Sequence, residues 1–141
     1  DPQSKMSKSS KSDKGLVYLL DEPDTVKKKI MSAVTDTGNK IIARPNKAGI
    51  TNLLTIYSVL TDKPIKELEK DYQGKGYGEF KKDLAQVVID FLRPIQKEYQ
   101  EIRQDEGYLN QVLSRGLDQA QQISNKKLKQ VHQVAQIELH V

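Results

Sequence analysis

Residues 79–102 read EFKKDLAQVVIDFLRPIQKEYQEI, and the spacing of their apolar side chains decides the fold. Leu84, Val87, Val88, Phe91, Leu92, Ile95, Tyr99 and Ile102 share one face of a helix of some seven turns, at about 3.6 residues per turn. Pro94 lies inside this stretch. It cannot donate to the carbonyl of Asp90 and its ring crowds that group, so the sequence predicts a kink; the stripe continues in phase beyond it, so no break is expected. Upstream, Ile50, Leu53, Leu54, Tyr57 and Leu60 form a second stripe, which predicts a helix over 48–60. Between the two, Pro64 near a start and Gly74 just past an end bound a short polar helix over 65–72. Gly74-Lys75-Gly76-Tyr77-Gly78 then makes a glycine-rich turn. This turn lacks the G-x-x-x-x-G-K-[ST] spacing and the preceding buried strand of a phosphate-binding loop, so it reads as a link between helices.

Nearer the N-terminus, Asp21-Glu22-Pro23-Asp24 signals a helix start, with an acidic cap and a proline in the first turn. Val26, Ile30, Ala33 and Val34 are placed on its inner face, Gly38-Asn39 at its end, and Arg44-Pro45-Asn46 in a loop. The five apolar residues 16–20 are too few for a helix and read as a short strand or a buried connector. A last helix is expected from about Asp105 to the C-terminus, with Leu109, Val112, Leu113, Leu117, Ala120, Leu128, Val131 and Ala135 turned inward. The fold class is therefore all-α, a bundle of four or five helices preceded by a flexible loop.

Composition agrees. The chain has 141 residues, 36% of them hydrophobic, with six Tyr, two Phe and no Trp, so aliphatic side chains must build one core of ordinary size. That excludes a disordered chain. Charged residues make up 30% and mean hydropathy is −0.66, with no apolar run near the roughly 18 residues of a membrane span. Cysteine is absent and only His132 and His140 remain as soft ligands, so neither a disulfide framework nor a metal site is expected. The two histidines share one helix, and no nucleophile stands at a spacing that pairs it with a base. The net charge of +4 permits contact with nucleic acid or phosphate without requiring it. The charged, serine-rich start lacks the apolar segment of a secretion signal, and the chain reads as a piece of something longer.

Chemistry concentrates in Lys5-Met6-Ser7-Lys8-Ser9. Two ammonium groups three residues apart, with hydroxyls beside them on a mobile segment, suit a phosphate whose charge moves during reaction. A solvated Lys- and Ser-rich linker explains these five residues equally well when they are taken alone. Taken with the residues downstream, they are the KMSKS signature of class I aminoacyl-tRNA synthetases. Leu19-Leu20-Asp21-Glu22-Pro23, Lys28-Lys29-Ile30, Ala33-Val34-Thr35-Asp36 and Ala48-Gly49-Ile50-Thr51-Asn52-Leu53-Leu54 resemble the segments C-terminal to this signature in bacterial tryptophanyl-tRNA synthetases. Asp83-Leu84-Ala85-Gln86-Val87-Val88 and Leu92-Arg93-Pro94-Ile95-Gln96 continue the likeness, which weakens after about Leu117. One departure is the longer Ser/Lys stretch Ser9-Ser10-Lys11-Ser12-Asp13, where family members often carry Ser-Asp after the second lysine.

The resemblance implies a ligase that activates tryptophan with ATP and passes it to tRNA(Trp), in the cytoplasm, as a homodimer, with Mg²⁺ accompanying ATP. It implies that Lys5 and Lys8 meet the leaving pyrophosphate and that Met6, Ser7 and Ser9 complete the ATP-phosphate loop. It divides the chain into residues 1–20, loop and tail of a catalytic domain, and residues 21–141, a C-terminal helical domain that meets the anticodon. The family's α/β Rossmann domain, with its His-x-Gly-His motif and amino-acid pocket, has no counterpart in this sequence, so the chain alone is expected to be inactive. For the tRNA, the candidate contacts are Arg103, Arg115, Lys126, Lys127 and Lys129, whose other reading is a solvated helix face. A tyrosyl enzyme would share the loop chemistry, and a free-standing basic helical RNA-binding module would share the charge and the helices.

Overall fold

The computed structural model describes residues 13–135. After a 3-10 turn at Asp13–Gly15 come five helices: α1 (Pro23–Ser32), α2 (Ala48–Thr61), α3 (Ile65–Asp71), α4 (Tyr77–Gln104) and α5 (Glu106–Ala135). There is no strand among the described residues. The all-α expectation holds, and α2, α3 and α4 lie within two residues of where periodicity placed them. Helix α4 runs through Pro94 without interruption, because the stripe on either side stays in register. Gly74 closes the α3 end with φ +82°, a conformation that costs a glycine little and other residues more.

The chain forms two compact units, Asp1–Lys97 and Glu98–Val141. In the first, Val26 and Ile30 of α1, Ile50, Leu53 and Leu54 of α2, Leu68 of α3, and Phe80, Leu84, Ala85, Val88 and Leu92 of α4 make a continuous core, joined by Ile41 and Tyr72. At its centre Tyr57, Tyr72 and Phe80 pack ring on ring, with Tyr72 perpendicular to Phe80 at 5.0 Å and Tyr57 stacked on Phe80 at 5.8 Å. The buried Tyr72 hydroxyl donates to Asp83 at 2.8 Å and meets the Tyr57 hydroxyl at 3.2 Å, so its polar end is satisfied. Burial, with these two partners, pushes its pKa well above the usual tyrosine value.

Four local expectations are corrected. Helix α1 ends at Ser32, not at Gly38-Asn39, and Val34 is 70% exposed rather than inward. The cause is tertiary: Ala33 turns out of the helix (φ −57°, ψ 135°) and its carbonyl accepts from the Lys81 ammonium at 2.7 Å. Glu22 occupies the N-cap position, yet its side chain makes no capping bond. Residues 16–20 are neither strand nor buried connector. Asp21 accepts from the Tyr18 amide at 2.9 Å and tightens the segment into a turn that leaves Val17, Leu19 and Leu20 exposed. In the second unit, no residue of α5 is buried: Leu109 is half-covered, and Val112, Leu113, Leu117, Ala120, Leu128, Val131 and Ala135 are exposed. A stripe shows which face a helix can bury, whereas burial itself needs a partner.

Candidate functional site

Lys5, Met6, Ser7, Lys8 and Ser9 lie outside the described residues. What the structure does describe is how the chain leaving that segment is held. Asp21 carries two contacts: it accepts from the Tyr18 amide and forms an ion pair with Lys29 of α1 at 2.6 Å. The Lys29 ammonium also lies 4.6 Å from the centre of the Tyr18 ring, so one cation serves both the carboxylate and the ring that close the turn. From α4, the Gln96 amide donates to the carbonyls of Leu19 (2.8 Å) and Asp21 (3.0 Å). Residues 18–21 are thereby tied to the first and fourth helices. None of this is readable in the sequence, where Asp21 is a helix-start residue and Gln96 one more polar position.

The second polar cluster joins the α1–α2 connector to the start of α4. Asp36 accepts from the Lys47 ammonium at 2.7 Å, from the Tyr77 hydroxyl at 2.8 Å and from the Gly38 amide at 2.8 Å. The Lys47 ammonium also donates to the Tyr77 oxygen at 2.9 Å. The Lys47 contact, opposed by partial desolvation and aided by Tyr77 and Gly38, holds the Asp36 carboxyl at a pKa of about 2. Lys47 is correspondingly raised, chiefly by Asp36. Close by, Lys81 is 8% exposed, donates to the Ala33 carbonyl and reaches Thr35 Oγ1 at 3.4 Å. Burial pushes its pKa down. Gly49, in the first turn of α2, lets the Val34 carbonyl approach so closely that a Cβ would stand 2.3 Å from it. Among the described residues no group of three or more His, Cys, Asp or Glu side chains could hold a metal.

The five basic residues singled out for RNA all fall in the second unit and all are exposed: Arg103 in the last turn of α4, the others on α5. At about 100° per residue, Arg115, Lys126 and Lys129 fall within an arc of about 60°, while Lys127 lies about a quarter-turn away. The sequence thus puts three cations on one helical face, and the structure leaves that face to solvent.

The profile of the family "tRNA synthetases class I (W and Y)" matches residues 1–93. The chain belongs to this family. Among similar proteins, the tryptophan–tRNA ligase of Bacillus subtilis is 49% identical over 132 residues, covering 93% of this chain and 40% of that protein. The tryptophan–tRNA ligase of Leifsonia xyli is 51% identical over 114 residues, covering 80% of this chain and 34% of that protein. The crystal structure of tryptophanyl-tRNA synthetase from Mycoplasma pneumoniae superposes with a TM-score of 0.71 at 32% identity, covering 98% of this chain and 42% of that one. The chain thus spans about 40% of the length of the Bacillus relative. Within this synthetase chain, the family match takes in Lys5 to Ser9, the Asp36–Lys47–Tyr77 cluster and most of α4, and ends before the five basic residues.

Proposed function

We propose that this chain is the KMSKS-bearing, helical portion of a cytoplasmic, homodimeric tryptophan–tRNA ligase, which joins tryptophan to ATP as an adenylate and then passes it to tRNA(Trp). The observation that carries this reading is the likeness to tryptophan–tRNA ligases over 93% of the chain, with the KMSKS signature inside it. Adenylate formation is an in-line displacement at the α-phosphate, and negative charge grows on the departing pyrophosphate. Cations that meet that charge more strongly in the transition state than in bound ATP accelerate the step. Lys5 and Lys8 are assigned this role, with Ser7 and Ser9 donating to the phosphates or holding the loop and Met6 packing it down. Mg²⁺ neutralises phosphate charge and would come with ATP; the described residues offer no carboxylate cluster to hold it. The helices from Asp21 onward are assigned to the tRNA, with Arg103, Arg115, Lys126, Lys127 and Lys129 as contacts. Anchoring of residues 18–21 by Asp21, Lys29 and Gln96 supports this division of labour, since it couples the chain that leaves the loop to the helical core.

The test is single-turnover kinetics on the full-length enzyme. A charge-assisted contact of this kind is worth ~2 to 4 kcal/mol in the transition state, so Lys8→Ala should slow adenylate formation by roughly thirty- to a thousand-fold. Transfer from preformed adenylate should change much less, because pyrophosphate has already left. A variant that forms adenylate normally and transfers slowly would make the loop a tRNA contact and overturn the assignment.

A further inference from the structure

The connector between α1 and α2 is held in place by its backbone, while two of its long cationic side chains find no partner among the described residues. Over residues 37–47 the sequence is TGNKIIARPNK, with three basic residues, Lys40, Arg44 and Lys47, and no acid within the stretch to offset them. Burial alternates along it: Ile41 is in the core and Ala43 packs against the core, while Lys40 and Arg44 are exposed and Ile42 is partly so. That period of two puts Lys40, Ile42 and Arg44 on the outer side.

The backbone beneath them is anchored at successive points. The Tyr77 hydroxyl, whose proton goes to Asp36, lies 3.2 Å from the Lys40 carbonyl, and the Ala43 amide donates to Glu69 at 2.7 Å. The Arg44 amide donates to Thr51 Oγ1, which returns a bond to the Arg44 carbonyl, both at 3.1 Å. Lys47 closes the far end on Asp36 and Tyr77. The two carboxylates against the connector are therefore occupied, Asp36 by Lys47 and Tyr77, Glu69 by a backbone amide. No hydrogen bond or ion pair takes up the Lys40 ammonium or the Arg44 guanidinium among the described residues.

We infer that this outer edge, Lys40 and Arg44 with Ile42 between them, is a binding site for the phosphodiester backbone of tRNA. This deepens the reading above and rests on it. Two cations at most ~13 Å apart at about 3.3 Å per residue can neutralise two phosphates of one strand. The guanidinium offers a planar fork for phosphate oxygens. The partly exposed Ile42 gives a ribose or base face an apolar rest. Because the connector is already fixed, little backbone entropy is lost on binding. The charges on α5 lie on a different unit, so the site adds to them rather than replacing them.

Binding of the chain to a labelled tRNA(Trp) transcript and to an unrelated tRNA, followed by fluorescence anisotropy from 50 to 200 mM salt, tests the proposal. Each phosphate contact contributes about 0.7 to 0.9 to the salt slope, so Lys40→Gln with Arg44→Gln should flatten it by about 1.4 to 1.8 and weaken binding by roughly 25- to 60-fold at 0.1 M salt. The loss should be similar for both RNAs, as expected of contacts to phosphate. Both side chains are exposed, so the thermal midpoint should not move. Unchanged affinity and slope in this double variant, with loss only when Lys126 and Lys127 become Gln, overturns the site and leaves the synthetase reading intact. No binding of either RNA by the parent chain overturns it as well. Failure of the synthetase reading shows elsewhere, in the adenylate-formation assay, which these two substitutions leave unaffected.

Discussion

Gly49→Ala tests the packing that sets the course of the connector. The new Cβ would stand 2.3 Å from the Val34 carbonyl oxygen, 3.1 Å from the Thr35 Cα and 3.2 Å from the Val34 carbonyl carbon. All three are backbone atoms, so no side chain can swing aside. To reach even ~3.0 Å the carbonyl must retreat by roughly 0.7 Å. The connector has little freedom to do so, because Ala33 is held by Lys81 on one side and Asp36 by Lys47 on the other. Overpacking of this kind costs ~1 to 3 kcal/mol, while alanine in place of helical glycine returns up to ~1 kcal/mol. The expected net loss is about 1 to 2 kcal/mol. For the unit Asp1–Lys97 that corresponds to a fall in Tm of roughly 4 to 16 °C, read by circular dichroism at 222 nm. Gly78→Ala in α4 is the control: nothing lies within 4 Å of its Cβ position, so the helix preference acts alone and Tm should hold or rise. If Gly49→Ala melts at or above the parent temperature, the close approach does not constrain the fold and the account of the connector fails.

Two further outcomes are expected of the same core and connector. Phe80→Ala should cost ~3 to 5 kcal/mol, because the ring is fully buried between Tyr57 and Tyr72, whereas Phe91→Ala, at a ring 49% exposed, should cost far less; equal urea midpoints would contradict the burial pattern. Asp36→Asn should lower stability at neutral pH by loosening Lys47 and Tyr77. Since the carboxyl pKa drops on folding from 3.8 to about 2, its contribution is complete above about pH 4 and lost as pH falls through 2; parent and variant should therefore converge in acid, and a gap that persists at pH 2 would deny the ion pair its role.

Much of this protein was determined locally. Stripes at helical spacing fixed α2 and α4 because an amphipathic helix has one face to bury, and Pro64 and Gly74 bounded α3 because each permits only certain backbone angles. Lys5 to Ser9 and the segments after it were enough to place the chain in its family. Tertiary contact decided the rest. Whether α1 stopped at Ser32 depended on Lys81, 48 residues downstream, taking the Ala33 carbonyl, and on Gly49 admitting Val34. Asp36 and Lys47, 11 residues apart on the α1–α2 connector, and Tyr77 at the start of α4 become a cluster only when the connector folds back onto α4. The eight residues assigned inward on α5 show the same division. Their spacing is a property of one helix and was legible, but burial is a property of two surfaces, and no residue of α5 is buried.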